Sequence, residues 1–166
     1  MIVWKIIEEA PKYCVSNTGE VKNDISGRIL ALSQNERGYY IVRLVTDRGG
    51  RRITRAVHRL VAIAFLSDTR HHGDVVIHRD YDYSHNNVEN LAWKPLWFAH
   101  QRANELRNPR SRSSDRKVRR QDTGVIYTIR EAAVKYDALQ TAILYSANAP
   151  YGNKFKAGGH FWEWAD

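Results

Sequence analysis

A single cysteine, Cys14, stands in the 166 residues. That excludes an internal disulfide and any zinc site built from several thiolates. A lone cysteine of this kind is read as a small buried hydrophobe. No run of 18 or more apolar residues occurs, so no segment is a candidate membrane helix. The opening stretch, MIVWKIIEEAPKY, has only a short apolar run and carries Glu8 and Glu9. It does not read as a signal peptide, and a cytoplasmic protein is expected. No internal repeat is visible.

What is present is apolar enough to fold and basic enough to seek a polyanion. Hydrophobic residues make up 43% and charged residues 27%, with a mean hydropathy of -0.57. Length and composition suit one compact domain, or one with a small satellite. The net charge is +8 and the pI about 9.7. The charge is uneven: in 107–121, Arg107, Arg110, Arg112, Arg116, Lys117, Arg119 and Arg120 stand against Asp115 alone. Such a block points to nucleic acid as partner.

The first fifty residues read as β-rich. Tyr13 to Val21 is strand, turn and strand again, with Asn17 and Gly19 suited to positive φ. Residues 38–57 read as a hairpin whose turn lies at 48–50. Arg43, Arg51, Arg52 and Arg55 on that hairpin could reach a phosphate backbone or simply meet solvent. Val57, Leu60, Val61, Ala64 and Phe65 then fall on one helix face. His58 beside that stripe reads as structural, and His71-His72 as an exposed loop pair.

Beyond the basic block, Val125 to Tyr127 is a short strand. Thr128-Ile129-Arg130-Glu131 spells a capping box opening a helix. Leu139 to Ala147 is a second helix, joined to the first at Tyr136–Ala138. The pair reads as a helix-turn-helix, with an aromatic strand around Trp162 closing the chain.

Between these ends lies the stretch from Val76 to Asn104. A β-branched strand delivers His78 to its end. A turn dense in Asp and Asn follows, then a second strand from Val88 to Trp93, and a helix that enters at Pro95 and carries His100. Phosphodiester hydrolysis needs a base for water and positive charge at the phosphate oxygens. A neutral imidazole is a base near pH 7. In a small ββα unit His78 would take the water proton, His100 would bind a divalent ion, and the Asn90 amide would fix the loop. Two histidines at this separation also arise by chance, so the spacing alone does not decide for a nuclease.

These residues resemble the HNH homing endonucleases of phages and introns. The resemblance is carried by Val57-His58-Arg59-Leu60-Val61-Ala62, Ile77-His78-Arg79-Asp80, Asn86-Asn87, Glu89-Asn90-Leu91 and Trp93. It extends to Tyr13 through Val21, similar to the small module that precedes such cores, and to the helix pair from Thr128. It spans nearly the whole chain, in the family's order.

The resemblance implies an α+β fold, with a central ββα-metal (HNH) motif, an N-terminal β-rich module and a C-terminal helix-turn-helix module. The expected divisions are 1–55 for DNA positioning, 56–106 for the nuclease core, 107–121 for a basic linker and 122–166 for a DNA-binding module. It implies double-stranded DNA as substrate, Mg²⁺ or Mn²⁺ as cofactor, His78 as base and Asn90 as the central asparagine.

The chain also departs from the pattern it resembles. Ile77 stands where some relatives have an Asp or Asn ligand. Ala99 falls at the usual helix-ligand position, so the metal expectation shifts to His100, with Asp80 and Asn104 as further candidates. Arg79 and Arg130 join the hairpin and linker basic residues as expected DNA contacts. A monomer without membrane attachment is expected. Two rival readings are a DNA-binding protein on an HNH scaffold that no longer cuts, and an RNA-binding module.

Overall fold

The computed structural model describes residues 1–47, 50–107, 115–149 and 155–165, with backbone alone at 106 and 107. The chain divides into two compact units, Met1–Pro95 and Leu96–Asp166.

In the first unit, β1 (Trp4–Ile6), β2 (Tyr13–Ser16) and β3 (Val21–Asn23) form an antiparallel sheet in that order. The β2–β3 turn places only Gly19 at positive φ, +94°. Asn17 is held differently from expectation. Its side-chain oxygen accepts from the Val3 N–H at 2.8 Å, and its backbone carbonyl accepts from the Val88 N–H at 2.8 Å.

A second sheet contains β4 (Ser33–Gln34), β5 (Tyr40–Val45) and β6 (Arg52–Ala56). The two strands of the expected hairpin are paired, in register from Ile41↔Ala56 to Val45↔Arg52, while positions 48 and 49 of its expected turn lie outside the described residues. Strand β6 runs straight into α1 (Val57–Phe65), which buries Val57, Leu60 and Val61. Each such side chain contributes roughly 1.5–3 kcal/mol of hydrophobic stabilisation.

The third sheet is the hairpin of β7 (Asp74–His78) and β8 (Leu91–Pro95), in register from Asp74↔Pro95 to His78↔Leu91. The second strand starts at Leu91 rather than Val88. Val88–Asn90 is a 3-10 turn, and the Asn87 side chain caps it by accepting from the Glu89 N–H at 3.2 Å. An Asx residue ahead of a polar turn offers the backbone a partner that competes with the ladder.

Ile7, Val15, Val21, Leu44, Leu60 and Leu91 lie in one core. The N-terminal sheet, the hairpin, α1 and β8 are therefore packed together, across the expected division at residue 55. Cys14 is buried as expected.

The second unit begins with α2 (Leu96–Arg107), which the sequence had grouped with the nuclease core. Strand β9 (Lys117–Arg120) is central in a sheet flanked by β10 (Ile126–Thr128) and β11 (Trp162–Trp164). Residues 117–120, assigned from sequence to the basic linker, are thus sheet rather than linker. The reason is Val118, which is fully buried beneath Trp162, Ile129 and Ile143.

Helices α3 (Ile129–Lys135) and α4 (Gln140–Asn148) pack on that sheet. The Thr128–Glu131 capping box is formed at the start of α3. Glu105 of α2 accepts from the Thr141 N–H at 3.0 Å and its hydroxyl at 2.8 Å, closing the start of α4. No described helix is long and apolar enough to cross a membrane.

Candidate active site

The β7 sequence Asp-Val-Val-Ile-His alternates sides along the strand, and its last residue, His78, is only 3% exposed. The His78 Nε2 lies 3.2 Å from Asn86 Oδ1. The Asn86 amide nitrogen donates to the Ser84 carbonyl at 3.1 Å, which orients its oxygen toward the imidazole. In that arrangement Nε2 carries the ring proton and Nδ1 carries the lone pair.

The loop between β7 and β8 is closed by its own side chains. Asn90 Oδ1 accepts from the Asp80 N–H at 3.1 Å. Its Nδ2 donates to Asp80 Oδ1 and to the His85 carbonyl, both at 2.8 Å. Asp80 Oδ1 also accepts from the Asp82 N–H at 2.9 Å, and its Oδ2 meets His85 Nδ1 at 2.7 Å. Tyr81 sits at φ 68° in this turn. The expected place of Asn90 as the residue that fixes the loop matches these contacts.

Around His78 lie three further rings. Its ring centroid is 5.1 Å from His58 of α1, 5.6 Å from Tyr83 of the loop and 5.9 Å from Tyr39, just before β5. Tyr39 stacks on Tyr83 at 4.4 Å and leans on His58 at 4.8 Å. Gly19 of the β2–β3 turn meets Asn86. A Cβ built on Gly19 would lie 2.7 Å from the Asn86 Cβ, closer than packed carbons approach.

Burial sets the electrostatics. It pushes the His58 pKa down to about 3, helped by neighbouring His78 and Arg59. It also lowers His78, against the opposing pull of Asn86, Asp80 and Asp82. Both imidazoles are neutral at pH 7. Burial and the neighbouring Tyr83 raise Tyr39 to about 12. Partial burial works against ionisation of Asp80, but the Asp82 N–H, His85 and Asn90 outweigh it and hold the carboxyl below its ordinary range.

The sequence candidates for ligands of a divalent ion, Asp80, His100 and Asn104, are divided between the two units. No three His, Cys, Asp or Glu among the described residues converge to hold one. Ile77 is apolar and buried. Both oxygens of Asp80 are engaged inside the loop, which makes Asp80 a loop-closing residue in this structure rather than an open ligand. His100 and Asn104 lie in the second unit, exposed on α2.

The expected DNA contacts divide by surroundings. Arg43, Arg51 and Arg52 are exposed on the hairpin, and Arg43 lines a polar cleft of about 470 Å³ with Arg28. Arg55 is instead forked onto Glu9, with both N–O distances 2.7 Å. Arg79 is half-buried, and its backbone N–H donates to the Asn90 carbonyl at 2.7 Å.

In the second unit Lys117 and Arg130 are exposed. Arg116 lies over the Trp164 ring at 3.6 Å. Arg119 faces Glu163 at 3.5 Å, and Arg120 binds Asp122 at 2.6 Å and the Tyr136 hydroxyl at 2.7 Å. Arg110 and Arg112 fall outside the described residues, and only the backbone of Arg107 is described.

Sequence reasoning gave no site role to Tyr39, Tyr83, His85 or Asn86, and read His58 as scaffold. Only the Asx-rich turn signalled its own local bonds. Apart from His78–Tyr83, the ring contacts join residues 19 to 44 positions apart, which no local pattern reveals.

A family model described as the NUMOD4 motif matches residues 3–45. An uncharacterised HNH endonuclease of Acanthamoeba polyphaga mimivirus is 29% identical over 163 residues, 97% of this chain and 48% of that protein. The DNA endonuclease I-HmuI of Bacillus phage SP01 is 42% identical over 81 residues, 49% of this chain and 45% of that one. The chain spans about half the length of these curated relatives. A solved structure describing DNA binding and cleavage by the HNH homing endonuclease I-HmuI aligns with 98% of both chains. Its TM-score is 0.55 at 26% identity.

Proposed function

Because the chain belongs to the HNH homing endonuclease family, we propose that it is a DNA endonuclease that hydrolyses phosphodiester bonds with His78 as general base. The observation that carries this is a buried, neutral imidazole at a strand end, its Nε2–H fixed by Asn86, in a loop closed by Asn90. Nδ1 holds the lone pair that takes the proton from water as the oxygen attacks phosphorus. Asn90 acts by holding the loop, and Asn86 by holding the tautomer.

Double-stranded DNA is the proposed substrate of a protein acting as a monomer. Residues 1–55 and the exposed hairpin arginines would position it. The β7–β8 loop would hold the cutting site, and the α3–α4 pair of the second unit would serve as a helix-turn-helix reader. The divalent ion, Mg²⁺ or Mn²⁺, is carried as a cofactor proposal with His100 and Asn104 as candidate ligands. When bound it would supply positive charge at the phosphate.

Purified protein incubated with plasmid DNA and Mg²⁺ or Mn²⁺ should nick or cut it. His78→Ala should lower the rate by about 10²–10⁴-fold, the usual worth of a general base. Cutting at the wild-type rate by His78→Ala would remove the base assignment. His100→Ala should raise the metal concentration needed for half-maximal rate; an unchanged titration would move the ligand elsewhere. The second reading, a DNA-binding protein that no longer cuts, is favoured by Ile77 and by the engaged Asp80 carboxylate. It predicts DNA binding with no metal-stimulated cutting in wild type.

A further inference from the structure

The residues packed around His78 come from its own loop, from α1 and from the N-terminal segment. Asn86 and Tyr83 belong to its own loop. Tyr39 belongs to the segment matched by the N-terminal motif model, residues 3–45. Its ring touches three others, Tyr83, His58 and His78, and ties the loop to α1. The same segment reaches the site a second time at the β2–β3 turn. There Gly19 lies against Asn86, the partner of His78 Nε2, and the Asn17 carbonyl holds the Val88 N–H just beyond it.

We propose that the N-terminal module is a working part of the cutting site, in which Tyr39 and the Gly19 turn are positioning elements that fix the orientation of His78 and Asn86. This rests on the reading of His78 as base. The argument is geometric. Asn86 holds one edge of the His78 ring by a hydrogen bond, and His58, Tyr83 and Tyr39 pack against it. Tyr83 rides on a loop, so Tyr39, next to β5, anchors it from the rigid side by stacking at 4.4 Å. Gly19 matters because any side chain there would push Asn86 away and loosen the bond that sets the tautomer. The residue also sits at φ +94°, a conformation that suits glycine.

The test compares Tyr39→Leu, Tyr39→Phe and Gly19→Ala with wild type and His78→Ala in the full chain. Readouts are thermal midpoint, DNA affinity, the single-turnover cutting rate and the NMR signals of the His78 ring. Tyr39→Leu should lose about 10–100-fold in rate, as small misplacements of a reacting group do, while its DNA affinity stays within about twofold. Tyr39→Phe, which keeps the ring, should recover most of that loss. Gly19→Ala should show the same split independently.

In both damaging variants the His78 ring signals should shift or broaden as the ring samples a second orientation. Folded Tyr39→Leu protein that cuts at the wild-type rate, or loses DNA affinity with its rate intact, would overturn the proposal. So would His78 signals unchanged in both variants, an arm that needs no activity. Equal cutting by wild type and His78→Ala would instead remove the base assignment, leaving the NMR arm to judge the positioning contacts.

Discussion

His58 is the residue whose environment has the clearest energetic consequence. Unfolded, it takes a proton near pH 6.5; folded, only near pH 3. Between those values the unfolded chain binds more protons, so the stabilising contribution is complete above about pH 6.5 and is lost as pH falls. Between about pH 7.5 and about pH 4.5 the loss should be on the order of 2–3 kcal/mol. Urea midpoints measured across that range should fall for wild type and flatten for His58→Phe. Equal slopes in the two proteins would mean that His58 titrates normally. The sequence reading treated His58 as scaffold; only the packing brings its ring to 5.1 Å from that of His78.

At the scale of elements, most of the secondary structure was legible because it is local. The α1 stripe and the capping box rest on contacts within a few positions, and the β5–β6 pairing on strands adjacent in sequence; all three formed. The capping box invites a direct measurement. Thr128→Ala removes the acceptor for the Glu131 N–H, now at 3.1 Å. It should cost about 1 kcal/mol, read as a lower denaturation midpoint of the second unit. No change would mean that α3 is held by burial of Ile129, Ala132 and Ala133 alone.

Strand β9 was missed for a reason of the same kind. Four residues reading Lys-Val-Arg-Arg lack the apolar alternation that announces a strand, and the single Val118 became decisive only when Trp162, more than forty positions later, packed over it.

For the whole molecule the charge is the feature with a measurable outcome. With a net charge of +8 and exposed Arg43, Arg51, Arg52 and Lys117, DNA affinity should fall steeply with salt, by about 10³–10⁵-fold from about 50 to about 200 mM if six or more phosphates are neutralised. A filter-binding or anisotropy titration gives the slope, and a flat response would remove the phosphate-contact reading. Arg55, Arg119 and Arg120 each face an internal carboxylate, so replacing them should alter that slope less than replacing Arg51 or Arg52.

The sequence by itself determined the basic character, the single thiol, most of the helices and hairpins, and the place of His78 at a strand end. It did so because period, turn chemistry and charge act over short spans. Tertiary structure alone decided that Tyr39, His58 and Tyr83 surround His78, that Gly19 presses on Asn86, and that Asp80 is engaged by Asn90 and His85. Those facts depend on which distant segments share a core, and burial of apolar surface chooses partners by fit across the whole unit rather than by any order along the chain.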